Sequence, residues 1–150
     1  MCEVAFFVML SNMEKIIIYS DGGSRGNPGP AAIGVQIQNE SGEVLKEVSA
    51  TIGNSTNNIA EYMAVAEGLK AAKALFGKRT KEMAVEFRMD SELIQKQLTN
   101  QYQIKDVGLV PYFIEIHNLR VSAFPNLTIT HVPREKNKEA DRLVNEALDA

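Results

Sequence analysis

The chain has 150 residues, 45% of them hydrophobic, enough for one domain that buries a core of its own and needs no staple to fold. Its single cysteine, Cys2, excludes an internal disulfide and any cysteine-rich metal site, and points to a reducing, cytoplasmic setting. With 16 basic against 19 acidic residues the net charge is -3, which argues against binding nucleic acid through a bulk basic field and leaves only local patches for that role.

Residues 1–12 (MCEVAFFVMLSN) are apolar but shorter than the roughly 20 residues that a bilayer span requires. They also lack the basic start and small-residue cleavage site of a signal peptide. With a second methionine at Met13, they read as an extension, expected to be disordered or associated with a sheet edge, ahead of one domain over 13–150. No membrane partner is expected.

Residues 16–19 are apolar and β-branched, which predicts a buried strand. Asp21 falls where that strand should stop, and Gly22, Gly23, Gly26, Pro28, Gly29 and Pro30 then impose a tight turn. On turn chemistry alone Asp21 is a strand terminator. A strand over 31–38, a turn at Glu40-Ser41-Gly42 and a strand over 43–52 complete three antiparallel strands. The polar loop 53–58 ends in residues suited to cap a helix over 59–76, which carries apolar residues at 59, 62, 63, 66 and 69. A strand over 83–89 ends at Asp90, and a short helix over 92–98 follows. Residues 101–110 read as irregular, 111–121 as helix and 127–132 as a last strand. Asn137 is expected to cap a final helix with the apolar stripe Ala140, Leu143, Val144, Ala147 and Leu148. Three strands followed by alternating helices and strands predict an α/β sheet of mixed direction covered by helices.

Four carboxylates stand out by position: Asp21 and Asp90 at strand ends, Glu61 beside Tyr62 on the long helix, and Asp141 beside the apolar stripe of the last one. Each alone is an ordinary surface acid. Brought together they could not all stay ionised without a compensating cation. Oxygen ligands without cysteine suit Mg²⁺ or Mn²⁺ better than Zn²⁺. Two such ions would clamp the attacking water and the leaving oxygen of an in-line phosphoryl displacement, which is nuclease chemistry.

The segments DGGSRGNPGP, STNNIAE, MDSE and HVPREKNKEADRLVNEA, in this order and each with one of the four acids, resemble the motifs of type 1 ribonuclease H over residues 13–150. The resemblance implies a ribonuclease H-like fold with a five-stranded mixed sheet in the order 3-2-1-4-5. It also implies endonucleolytic, Mg²⁺-dependent cutting of the RNA strand of RNA–DNA hybrids, with Mn²⁺ as an alternative ion, leaving 5′-phosphate and 3′-hydroxyl ends. By motif position Asp21, Glu61, Asp90 and Asp141 become the metal-binding and catalytic acids, with Asp21 bridging two ions. Asn27, Asn57 and Asn58, with the backbone around Ser24 and Gly26, would line the minor groove and find the 2′-hydroxyl. Thr56 resembles part of a pocket for a DNA-strand phosphate. The bland alternative is that Thr56, Asn57 and Asn58 cap a helix and Asn27 makes a turn. A monomer with no obligatory protein partner is expected.

The chain departs from the family pattern in several places. Where many bacterial members carry a loop histidine before the last acid, this chain has a short loop with Arg134, resembling the arginine of other members. Always protonated, Arg134 is no general base, but it can bind a phosphate or assist the leaving group. His131, at a strand end, reads as structural, and His117, in a helix, as a packed or surface histidine. No tryptophan-bearing basic protrusion is present, since residues 99–113 hold only Lys105. Arg25, Lys136, Lys138 and the patch of Lys78, Arg79 and Lys81 are the cations left to grip a hybrid. Glu92 stands where other members often have glutamine. The alternatives are a hybrid-binding module that does not cut, disfavoured by the four acids, and a proofreading-type exonuclease, which would lack GNPGP and TNN.

Overall fold

In the computed structural model, which describes residues 13–150, β1 (Lys15–Ser24) is the central strand of a five-stranded sheet. The expectations for residues 1–12 lie outside the described residues. On one side β1 pairs antiparallel with β2 (Gly29–Asn39), which pairs antiparallel with β3 (Val44–Ser55). On the other it pairs parallel with β4 (Ala84–Met89), which pairs parallel with β5 (Leu127–His131). The order β3-β2-β1-β4-β5 is the one implied by the resemblance. The helices are α1 (Asn57–Phe76), α2 (Glu92–Leu98), α3 (Val110–Ala123) and α4 (Lys138–Asp149).

Alternation along β1 buries Ile16, Ile18, Ser20 and Gly22. The larger core joins Ile16, Ile18, Val35 and Phe87 of the sheet to Tyr62, Val65 and Leu69 of α1 and Ile116 of α3. A smaller cluster joins Ala32 to Val144 and Ala147 of α4. Two glycines set how closely the helices approach. A Cβ on Gly22 would lie 2.3 Å from the Ala60 carbonyl of α1, and one on Gly34 would lie 2.3 Å from the Ala140 carbonyl of α4. Both helices therefore rest backbone to backbone on the middle of the sheet, a contact open only to glycine.

Three sequence expectations need correction. Asp21 does not terminate its strand: β1 continues to Ser24, with Asp21 opposite Gly34 of β2 and Gly22 opposite Ile33. Gly22 serves helix packing there rather than a turn, and the irregular segment starts at Arg25. The parallel ladder with β4, however, ends at Ser20 and Met89, so Asp21 and Asp90 each follow its last pair. Second, β3 extends through Ser55 and α1 starts at Asn57, because Thr56 Oγ1 accepts from Ile59 N at 3.2 Å and sets the cap earlier than the apolar periodicity suggests. Third, Asn137 precedes α4 but its side chain makes no cap hydrogen bond.

Candidate metal-binding active site

Asp21 and Asp90 leave neighbouring strands side by side, and the contact of Gly22 with Ala60 brings the next residue of α1, Glu61, against them. Asp21, Glu61 and Asp90, all half-buried, each offer a carboxylate oxygen within 4.8 Å of the others. Such a cluster suits a divalent cation held by oxygen ligands. Asp141 is not in this set. It sits exposed in the first turn of α4, beside the apolar stripe that turns Ala140 and Val144 inward. It still faces the same groove of about 320 Å³, together with Asp21, Ser24, Arg25, Asn57, Glu61, Asp90 and Arg134.

The electrostatics of the cluster follow from burial and like charge. Burial first, then the charges of Asp90, Glu61 and Asp141, push the Asp21 carboxyl up to about 8, against a small downward pull from the Gly22 N–H. That N–H donates to Asp21 Oδ1 at 3.0 Å. Burial also pushes Glu61 up to about 7; the nearby Ser91 hydroxyl pulls down, the Asp90 charge pushes up, and the Arg134 charge pulls down. Without a cation the cluster therefore retains protons near neutral pH. A bound divalent ion would offset the like-charge repulsion and favour the ionised carboxylates.

Arg134 lies exposed in a short 3₁₀ turn, Arg134–Lys136, on the rim of the groove. The expected substrate-reading residues are partly brought together. Asn57 Oδ1 accepts from Ser24 N at 2.8 Å and from Ser24 Oγ at 3.1 Å, while Asn57 N donates to Asn27 Oδ1 at 3.1 Å. This ties the turn after β1 to the start of α1. Gly26 is exposed at φ +89° in that turn. Thr56 is occupied as the cap of α1, and Asn58 is half-buried and outside the groove lining. Arg25 pairs with Asp149 at 2.6 Å, Arg79 with Glu14 at 2.6 Å, and Glu92 with Lys96 at 2.8 Å. His131 and His117 are both exposed, so His117 is the surface histidine of its two readings and His131 is not packed in the core.

Two residues with a part in the site escape a reading of the sequence by type. Ser91 Oγ caps α2 by accepting from Ile94 N at 3.3 Å and also reaches Glu61. Asn137 Nδ2 donates to Asp90 Oδ2 at 3.3 Å. Ser91 adjoins Asp90 in the MDSE segment, which is a usable signal; Asn137 carries none beyond its place before a helix.

A family model described as "Reverse transcriptase-like" matches residues 19–147. The chain is 44% identical over 135 residues to a protein named Ribonuclease HI from Halobacterium salinarum, an overlap of 90% of this chain and 65% of the relative. The chain thus spans just under two thirds of that relative's length. Among solved structures it is similar to LC11-RNase H1, isolated from compost by a metagenomic approach, at 52% identity and a TM-score of 0.87, covering 91% of this chain and 97% of that one. It is also similar to LC11-RNase H1 in complex with an RNA/DNA hybrid, at 51% identity and a TM-score of 0.86, covering 89% and 96%.

Proposed function

The chain belongs to the type 1 ribonuclease H family, and from that premise we propose that it hydrolyses the RNA strand of RNA–DNA hybrids by internal cuts that leave 5′-phosphate and 3′-hydroxyl ends. The observation that carries this reading is the convergence of Asp21, Glu61 and Asp90, whose donor oxygens lie within 4.8 Å of one another. Their chemistry fits the resident ion of such an enzyme: oxygen donors only, with Asp21 and Glu61 pushed up first by burial and further by the charge of neighbouring acids.

Asp21, Glu61, Asp90 and, from the rim, Asp141 would hold two Mg²⁺ ions, with Mn²⁺ as an alternative. When bound, the ions supply positive charge that activates a water and offsets charge on the leaving oxygen. The protein's own side chains do the rest. Arg134, permanently charged and on the same groove, binds the scissile phosphate and favours departure of the cut end. With Asn57 Oδ1 and Asn27 Oδ1 engaged inside the protein, their amide nitrogens are the groups left to donate to a 2′-hydroxyl. Ser24 Oγ, already donating to Asn57, keeps its lone pairs for that hydroxyl's proton. Asn58 and the backbone at Gly26 continue the contact along the minor groove, and Thr56 receives a phosphate of the DNA strand. Among the described residues no helix is long and apolar enough to cross a membrane. We place the enzyme in the cytoplasm, acting as a single chain.

The deciding experiment is cleavage mapping on an end-labelled hybrid, on double-stranded RNA and on single-stranded RNA, with Mg²⁺ and with chelator. Internal cuts confined to the RNA strand of the hybrid, lost with chelator, are expected. Binding of the hybrid without cutting would overturn the enzymatic reading, and digestion only from free ends would assign an exonuclease.

A further inference from the structure

Asn137 is 1% exposed, yet only half of its carboxamide is satisfied. Nδ2 donates to the Ser20 carbonyl at 2.8 Å and to Asp90 Oδ2 at 3.3 Å, whereas Oδ1 is buried without a partner. Turning the amide over would set Oδ1 against two acceptors, so the bonding fixes its orientation. A buried acceptor left unpaired is unfavourable, and an apolar side chain of similar shape would avoid it. Capping does not account for the residue, because the side chain makes no cap bond to α4. Its contacts instead join three parts of the site. The amide nitrogen holds the carbonyl preceding Asp21 and the carboxylate of Asp90, and the residue's backbone carbonyl accepts the first helical bond of α4, from Asp141 N at 3.2 Å.

We propose that Asn137 is a positioning residue of the divalent-cation site, pinning one oxygen of Asp90 so that its remaining lone pairs face the ion shared with Asp21 and Glu61. The inference rests on the metal reading given above. A neutral donor is suited to this role, because it stops rotation of the carboxylate without cancelling the charge that a cation needs, as an arginine or lysine in its place would. Partners of ligating carboxylates act in this way at metal sites generally, and their loss weakens metal affinity about 10- to 100-fold.

The experiment titrates Mn²⁺ alone into the wild-type chain, Asn137→Leu and Asn137→Ala by calorimetry. Thermal unfolding without metal and steady-state cleavage of a hybrid accompany it. The leucine variant, close in shape and free of the orphan acceptor, is expected to unfold within about 3 °C of wild type. Its Mn²⁺ affinity falls about 10- to 100-fold. KM for the hybrid stays within about two-fold, and the loss in kcat is partly recovered by excess Mn²⁺. Wild-type Mn²⁺ affinity in either folded variant would overturn the inference. So would unfolding of both variants without metal, which would make Asn137 a structural tie only. A wild-type chain that binds no Mn²⁺ would overturn the metal reading itself, and this inference with it.

Discussion

Asp21 stands among three other acids and is pushed up to about 8, so its charge is unfavourable to the metal-free fold and useful only to a cation. Asp21→Asn is therefore expected to lower Mg²⁺-dependent cleavage by roughly a thousandfold. The same substitution should raise the metal-free unfolding midpoint at pH 8 to 9, because it removes a charge that burial and Asp90 oppose. Cleavage kinetics and thermal unfolding on one preparation check both; a lower midpoint at that pH would mean that Asp21 supports the fold. Arg134 acts at longer range, since its charge pulls Glu61 down from the groove rim. Arg134→Ala is expected to slow turnover about 10-fold without abolishing it, and an unchanged kcat would return Arg134 to an ordinary solvated side chain.

At the scale of elements, the site depends on how closely α1 lies on β1. Gly22 and Gly23 are adjacent in the same strand but differ in what a side chain would meet. A Cβ at Gly22 strikes the Ala60 carbonyl at 2.3 Å, whereas one at Gly23 finds nothing nearer than Asn57 Oδ1 at 3.9 Å. Gly22→Ala is expected to cost about 1–3 kcal/mol through overpacking. By pushing α1 away it should also weaken Mn²⁺ binding, because Glu61 follows Ala60 directly. Gly23→Ala should stay within about 0.5 kcal/mol of wild type. Chemical denaturation and Mn²⁺ titration of the pair measure this, and equal effects at the two glycines would refute the close-approach account. Next to Glu61, the Tyr62 hydroxyl donates to Gln97 Oε1 at 2.7 Å inside the core and so ties α1 to α2.

For the molecule as a whole, Asp21 at about 8 and Glu61 at about 7 both lie above their ordinary values of 3.8 and 4.5. The folded state thus binds more protons than the unfolded state between those limits. Stability from the two protonated carboxyls is complete below the unfolded values and is lost as pH rises through 7 to 8. The metal-free chain is expected to melt at lower temperature at pH 9 than at pH 5, by a margin that saturating Mg²⁺ reduces, since the ion binds the ionised acids. Melting curves at both pH values with and without Mg²⁺ check the sign; a metal-free midpoint that rises over this range would contradict it. Mg²⁺ should likewise release protons on binding at pH 7, and cleavage should weaken below that pH as protons compete for the same oxygens.

The sequence by itself determined the alternation of strands and helices, Asp90 directly after its core strand, and a polar cap ahead of the long helix. Hydrophobic period, glycine-rich turns and cap residues are local signals that need no partner in space. Only the tertiary structure decided that β1 runs on past Asp21, that three acids converge while Asp141 stays on the rim, and that Asn137 serves Asp90 instead of capping α4. Those outcomes depend on backbone meeting backbone across the fold, Gly22 on Ala60 and Gly34 on Ala140, and on one buried amide reaching both β1 and the residue after β4. A glycine or asparagine looks the same in a turn as in such a contact. What separates the two is the distance to residues far away in the chain, which local pattern does not encode.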